Sequence, residues 1–241
     1  MAGRDSGSNG PSDLPAPVPG AVAPPVIEAA EAPVAAGPSA VSAPPVPEPL
    51  KPYRGLFVLD ASQGIAGPYC ATLLAACGAE VVKVEPPGGD WSRGLSTREG
   101  TQSAMHVAFN RGKRSVVLDL QTEGGRAALA RLASQADVML EAFRPGVAAR
   151  LGLVPDAGKP DAVFLSVSGF GQHGPYAERP CTDGVAQAFS GLVSLNVGMD
   201  GVPHRTGPMM VVDVATGISA FAAVQAALAE QARDRAAGSE P

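Results

Sequence analysis

The stretch Gly55–Asp90, GLFVLDASQGIAGPYCATLLAACGAEVVKVEPPGGD, decides the fold. A short apolar run, Leu56–Leu59, ends at Asp60, and a loop containing Gly64 and Gly67 follows. Pro68 comes next, where the first residue of a helix would sit, since its missing N–H would have no intrahelical partner there. Leu73, Leu74 and Cys77 share one helical face, and Gly78 can adopt the positive φ that ends a helix. Val81–Glu85 is a second β-branched run, again ending in a carboxylate. Strand, glycine turn, helix, strand is the opening unit of a parallel α/β sheet. Such sheets bind ligands beyond the carboxyl ends of their strands, so Asp60–Gly67 and Glu85–Asp90 are the first places to look for a site.

The same alternation continues downstream. Strands are expected at about 55–60, 80–85, 115–120, 137–141 and 162–167, with helices at about 68–77, 102–109, 123–134 and 146–151. Thr122 is placed to cap the helix after the third strand. Residues 182–194 read as a helix broken at Gly191, and Met209–Val212 as a short strand ending at Asp213. After Gly217, the residues Ile218, Phe221, Val224 and Leu228 recur at helical spacing. The expected fold is α/β: a Rossmann-like, mostly parallel sheet with flanking helices joined by right-handed crossovers.

Composition narrows the function. The net charge of −5 gives no basic surface for nucleic acid. The three cysteines, Cys70, Cys77 and Cys181, have no metal-ligand spacing. With three scattered histidines they give no metal site. Cys70 and Cys77 fall on the first helix, where cysteine acts as a small hydrophobe. No apolar run looks long enough to cross a bilayer, and the N-terminus has no signal-peptide segment, so no membrane partner and a cytoplasmic location are expected. Residues 1–50 hold 12 of the 24 prolines and no aromatic residue. That composition reads as a disordered Pro/Ala-rich tail or linker. The expected layout is tail 1–50, folded portion 51–236 and a disordered end 237–241.

Several motifs carry chemistry. Gly169-x-Gly171-x-x-Gly174 has dinucleotide spacing, but Pro175 and Pro180 forbid the helix whose N-terminus would hold a pyrophosphate, so it reads as a flexible strand-end loop. Glu85 stands about where a ribose-binding carboxylate would. Arg111, Lys113 and Arg114, and further on Arg144 and Arg150, put cations at strand ends, where they suit phosphates or form an ordinary solvated surface. Asp213 has two readings. It is either a desolvated nucleophile at the strand-end crevice or a plain helix cap, and residue chemistry by itself favours the cap.

Taken together, these stretches resemble the family III CoA-transferases. The resemblance rests on Leu59-Asp60 with Ala66-Gly67-Pro68, on Gly78–Glu85 with Pro87 and Gly89-Asp90, and on Asn110–Ser115 with Leu118-Asp119-Leu120. It continues through Ala136-Asp137-Val138, Glu141, Phe143–Gly146 and Leu151-Gly152-Leu153, then Ser168–Gly171, Gly174-Pro175, Asp183, Gln187-Ala188, Ser190-Gly191, and Asp213 with Gly217.

The resemblance implies a CoA-transferase that moves CoA from an acyl-CoA thioester to a carboxylic acid, with Asp213 as the nucleophile. Aspartyl anhydride and aspartyl-CoA intermediates follow from that role. It implies CoA contacts at Ile65, Ala66, Leu118, Ala142, Phe143, Arg144 and Arg150, and no cofactor beyond coenzyme A, which is itself a substrate. Oxyanion donors are expected near Gly171 or in the helix after Asp213. Racemases of the family place a histidine just before the aspartate matched by Asp183. Thr182 stands there in this chain, which argues for a transferase over the alternative, an acyl-CoA racemase or isomerase; a non-catalytic CoA-binding or partner-binding remnant is a third reading. Family members also continue with a small second domain and interlock as homodimers. The expectation is an N-terminal portion of the large domain, weakly active or inactive without the remainder or a partner subunit supplying it.

Overall fold

The computed structural model describes residues 50–100, 102–207 and 210–238, and the expectations for the tail and for residues 239–241 lie outside them. In chain order the elements are β1 (Phe57–Asp60), α1 (Ala66–Ala76), β2 (Glu80–Glu85), a 3-10 turn (Trp91–Gly94), β3 (Arg98–Glu99), β4 (Gln102–Ser103) and α2 (Ala104–Asn110). They continue with β5 (Arg114–Val117), α3 (Glu123–Ala133), β6 (Val138–Glu141), α4 (Val147–Arg150), a 3-10 turn (Pro155–Ala157) and β7 (Val163–Ser166). The last three are α5 (Asp183–Phe189), α6 (Leu192–Leu195) and α7 (Val211–Ala236).

Five strands form one parallel sheet in the order β5-β2-β1-β6-β7, and β3 and β4 pair separately as a small antiparallel ribbon. The central strands are continuous apolar runs because helices cover both faces. Val58, Leu59, Val138, Met139 and Leu140 are all 0% exposed. Helices α1 and α7 cover one face, where Cys70, Leu74, Ala220 and Val224 pack on Val58, Val81 and Leu140. Helix α3 covers the other face, with Leu129 and Ala133 against Leu59, Val84 and Met139. Each fully buried leucine of these layers contributes about 2 kcal/mol of hydrophobic stabilisation. Thr122 caps α3, its Oγ1 accepting from the Gly125 N–H at 3.0 Å.

From β1 the chain builds outward through β2 to β5, and then returns to the other side of β1 to lay down β6 and β7. The direction of winding therefore reverses between β1 and β6, and the strand ends there leave a crevice.

Four expectations need correction. The third sheet strand stops at Val117, because Asp119 turns the chain: its carboxylate accepts from the Gln121 N–H at 3.0 Å and its carbonyl from the Thr122 N–H at 3.0 Å. Helix α1 starts at Ala66, which puts Pro68 in its first turn rather than at its first residue. Met209–Val212 is not a strand. Met209 lies outside the described residues, Met210 precedes the helix, and α7 already begins at Val211. Lastly, α7 has 26 residues and is, among the described residues, the one helix long and apolar enough to cross a bilayer. Here it lies along α1 and ends at the start of β7, where Gln231 Nε2 donates to the Asp161 carbonyl at 2.6 Å and Arg235 pairs with the Asp161 carboxylate at 3.0 Å.

Candidate active site

The crevice between β1 and β6 is walled by the loop after β1 and the turn after β6. The two approach closely: a Cβ on Gly67 would stand 2.5 Å from Ser62 and 3.6 Å from the Ala142 Cβ. Gly64 has φ +83°, and the Trp91 ring fills the space where its side chain would be. Ile65 is buried and Ala66 half-buried. In the opposite wall, the buried Glu141 carboxylate accepts from the Phe143 N–H at 2.7 Å and so fixes the turn carrying Ala142, Phe143 and Arg144. Arg144 and Arg150 are exposed, and neither is paired with a carboxylate among the described residues. Leu118 lies just past the end of β5, its N–H donating to the Glu85 carbonyl at 2.9 Å. Of the residues expected to touch CoA, Ile65, Ala66, Ala142, Phe143 and Arg144 therefore sit on the two crevice loops. Leu118 is at the sheet's β5 edge, and Arg150 ends α4.

Beneath the β1 loop lies a buried ionic cluster. Lys83 Nζ pairs with Asp90 at 2.8 Å and donates to the Ser62 carbonyl at 2.8 Å. Asp90 Oδ1 accepts from the N–H groups of Gly64 at 3.1 Å and Ser92 at 2.8 Å. Lys113 Nζ donates to Asp60 Oδ2 at 2.8 Å, the Pro68 carbonyl at 2.8 Å and Asn110 Oδ1 at 3.0 Å. The other oxygen of Asp60 accepts from the backbone and hydroxyl of Ser62. Residues 62–68 are thus held at four backbone groups, the N–H and carbonyl of Ser62, the Gly64 N–H and the Pro68 carbonyl, by charged side chains that are themselves buried. Burial pushes the Asp60 carboxyl up, but the charges of Lys113 and Lys83 and the hydrogen bonds from Lys113 and Ser62 outweigh it and hold it at about 2.

This cluster overturns one expectation and bears on a reading that the sequence leaves open. Glu85 is not a free ribose acceptor, since Arg93 grips it with two bonds of 2.7 Å and the Asp90 N–H donates to it at 2.9 Å. Nor do Arg111, Lys113 and Arg114 form a phosphate cluster. Lys113 is consumed by Asp60, Arg114 pairs with Glu80 on the neighbouring strand, and among the described residues Arg111 makes no ion pair and is exposed. A polar cleft of about 260 Å³ opens beside them, lined among others by Lys83, Arg93, His106 and Arg111, and Asp213 takes no part in it.

Asp213 is the third residue of α7 and half-buried. The helix is seated by Gly217, where a Cβ would stand 2.8 Å from the Ala66 carbonyl oxygen and 2.9 Å from the Tyr69 Cβ. Asp213 lies four residues, or about 6 Å, up the helix axis from that seat. That puts it at the strand-end side of the sheet, with the β1 loop. Asp213 is not the cap of its helix. Asp183, from α5, accepts the N–H groups of Val212 at 2.7 Å and Asp213 at 3.0 Å. The Val214 N–H is used by the Met210 carbonyl at 2.9 Å. The first turn of α7 therefore has no spare donor at Val212, Asp213 or Val214 for an oxyanion, which corrects that part of the expectation. Burial first, and the nearby Asp183 charge second, push the Asp213 carboxyl up to about 6. Burial and the charges of Asp213 and Asp183 likewise push the Cys181 thiol up, which leaves it a poor competing nucleophile. The Gly169–Gly174 loop packs its first glycine on Cys181 and leads into turns rather than a helix. The capping role of Asp183 has no signal in the sequence, since it acts across 30 residues.

Known proteins share this fold and sequence. The profile of CoA-transferase family III matches residues 53–239. The chain is 40% identical over 192 residues to the acetyl-CoA:oxalate CoA-transferase of Acetobacter aceti, covering 78% of this chain and 49% of that enzyme. It is 38% identical over 194 residues to the succinate–glutarate CoA-transferase of Agrobacterium fabrum, covering 76% of this chain and 48% of that enzyme. A CaiB/BaiF family protein from Brucella suis superposes with a TM-score of 0.71 at 35% identity, over 76% of this chain and 50% of its own. The chain spans about half the length of the curated relatives it matches. The chain therefore belongs to CoA-transferase family III.

Proposed function

We propose that this chain carries the CoA-binding crevice and the nucleophile of an enzyme that moves CoA from an acyl-CoA to a carboxylic acid. The observation that carries the reading is Asp213, half-buried, with its carboxyl held at about 6, in the first turn of a helix seated on the first turn of α1. A carboxylate there is ionised at neutral pH yet more basic than a solvated one, which suits a nucleophile.

An Asp213 oxygen attacks the thioester carbonyl carbon. The C–O bond forms as the C–S bond breaks, leaving a mixed anhydride and CoA thiolate. The thiolate then attacks the side-chain carbonyl of Asp213, releasing the donor acid and leaving an aspartyl thioester. The acceptor carboxylate attacks that carbonyl and expels the thiolate. The thiolate finally attacks the acceptor's acyl carbon, giving the new thioester and the original carboxylate. No proton or electron is consumed. Arg144 and Arg150, as free guanidinium forks, are the residues suited to CoA phosphates, and the Gly169–Gly174 loop is the remaining source of oxyanion donors.

The test is incubation with an acyl-CoA and hydroxylamine, followed by peptide mass spectrometry. A hydroxamate is expected at Asp213 in the native chain. Asp213→Ala is expected to abolish it while calorimetric CoA binding persists. A hydroxamate that survives the substitution, or forms elsewhere, would refute the assignment.

A further inference from the structure

Helix α5 presents two almost fully buried polar side chains, Asp183 at 6% and Gln187 at 1% exposure, to the segment that ends in Asp213. They are one helical turn apart and hydrogen-bonded to each other, Gln187 Nε2 donating to Asp183 Oδ2. The free ends of both reach the same stretch of backbone. Gln187 Oε1 accepts from the Thr206 N–H at 2.9 Å, and Asp183 Oδ1 accepts from the N–H groups of Val212 and Asp213.

We infer that Asp183, braced by Gln187, is a positioning residue for Asp213: it fixes the peptide that carries the nucleophile and sets the charge environment of its carboxylate. The inference builds on the role proposed for Asp213. A neutral cap would satisfy the same two N–H groups, so the choice of a buried carboxylate calls for a further account. An anion at position 183 faces an anion at position 213. Acylating Asp213 removes one of the two charges, so their repulsion is relieved in the step that forms the anhydride. The titratable groups around Asp213 are Asp183 on α5 and Cys181 just before it, while α1 meets α7 through Ala66 and Tyr69. Asp213 makes no ion pair among the described residues that would offset Asp183.

The experiment compares Asp183→Asn and Asp183→Ala with the native chain. Asparagine keeps an oxygen for the two N–H groups and removes the charge, whereas alanine removes both. The Asp213 carboxyl carbon is followed by NMR in aspartate-labelled protein, its signal assigned by its loss in Asp213→Asn. In Asp183→Asn its titration midpoint is expected to fall by about one pH unit, a usual effect for one nearby charge, with the fold intact. In Asp183→Ala the hydroxamate at Asp213 is expected to be lost even where circular dichroism shows a folded protein. An unchanged midpoint in Asp183→Asn overturns the inference, and so does native-rate hydroxamate formation in a folded Asp183→Ala. Since the midpoint needs no turnover, a native chain that forms no hydroxamate would count against the nucleophile assignment, and the midpoint would still decide the role of Asp183.

Discussion

Replacing Lys113 with methionine tests how the β1 loop is held. Its side chain is 2% exposed and that of its counter-ion Asp60 is 0% exposed. The two partners do not gain equally. Asp60 is held at about 2 against an ordinary 3.8, a difference of about 2 kcal/mol in favour of the folded state. Burial, however, takes the Lys113 ammonium below its ordinary value in spite of Asp60. The net contribution of the intact pair is therefore below that figure. Deleting one partner costs more, about 3–5 kcal/mol, because a buried charge is left behind. Lys83 at 4.0 Å is too far to replace the lost bond, and it is already paired with Asp90.

The pH dependence follows from the signs. In the native chain the depressed carboxyl contributes fully above pH 3.8, and that contribution is lost as the pH falls toward about 2. In Lys113→Met the desolvated Asp60 takes up a proton more readily than in the unfolded chain, so its penalty is greatest at neutral pH and shrinks on acidification. Both effects close the gap between the two proteins at low pH. Urea unfolding at pH 7 and at pH 4 measures it. We expect a loss of about 3–5 kcal/mol at pH 7, a clearly smaller one at pH 4, and partial recovery in the double variant Asp60→Asn/Lys113→Met. A loss below about 1 kcal/mol at pH 7, or one that does not change with pH, would refute the reasoning.

Three further outcomes are expected. Gly217→Val should destabilise the chain by about 1–3 kcal/mol through overpacking, read as a lower thermal midpoint, because the Ala66 carbonyl is backbone and cannot swing aside; an unshifted midpoint would show that the helix seat yields. Arg144→Ala and Arg150→Ala should each weaken CoA binding about tenfold by calorimetry, as loss of a charge-assisted bond to phosphate does, and the native affinity should fall with added salt. Hydroxamate formation at Asp213 should be about tenfold slower at pH 5 than at pH 7.5, since one unit below a pKa of about 6 roughly a tenth of the carboxyl is ionised; a flat profile would contradict the carboxylate as attacking group.

Much of this was legible in the residues themselves. Leu56–Leu59 and Val81–Val84 read as strands because a parallel sheet buried on both faces needs uninterrupted apolar runs. Gly191 breaks its helix as expected, turning at φ +81° between α5 and α6. What stayed hidden depends on partners distant in sequence. Lys113 sits in a basic run and looks like surface, and its counter-ion is 53 residues away. Glu85 ends a strand as a ligand-binding carboxylate would, but Arg93 reaches back to it. The sequence pattern puts the start of α7 too late because its cap comes from Asp183 rather than from its own sequence. Gly217 reads as a boundary in the sequence, and in the molecule it lies inside the helix.

That glycine acts as a stop on the long helix. Sliding α7 by one residue would move it about 1.5 Å along its axis and turn it by roughly 100°, bringing the side chain of Thr216 or Ile218 against the Ala66 carbonyl. Neither has room there, so the helix rests in a single notch. The height of the acidic group near its tip is then set by a gap the size of a methyl group, one turn below.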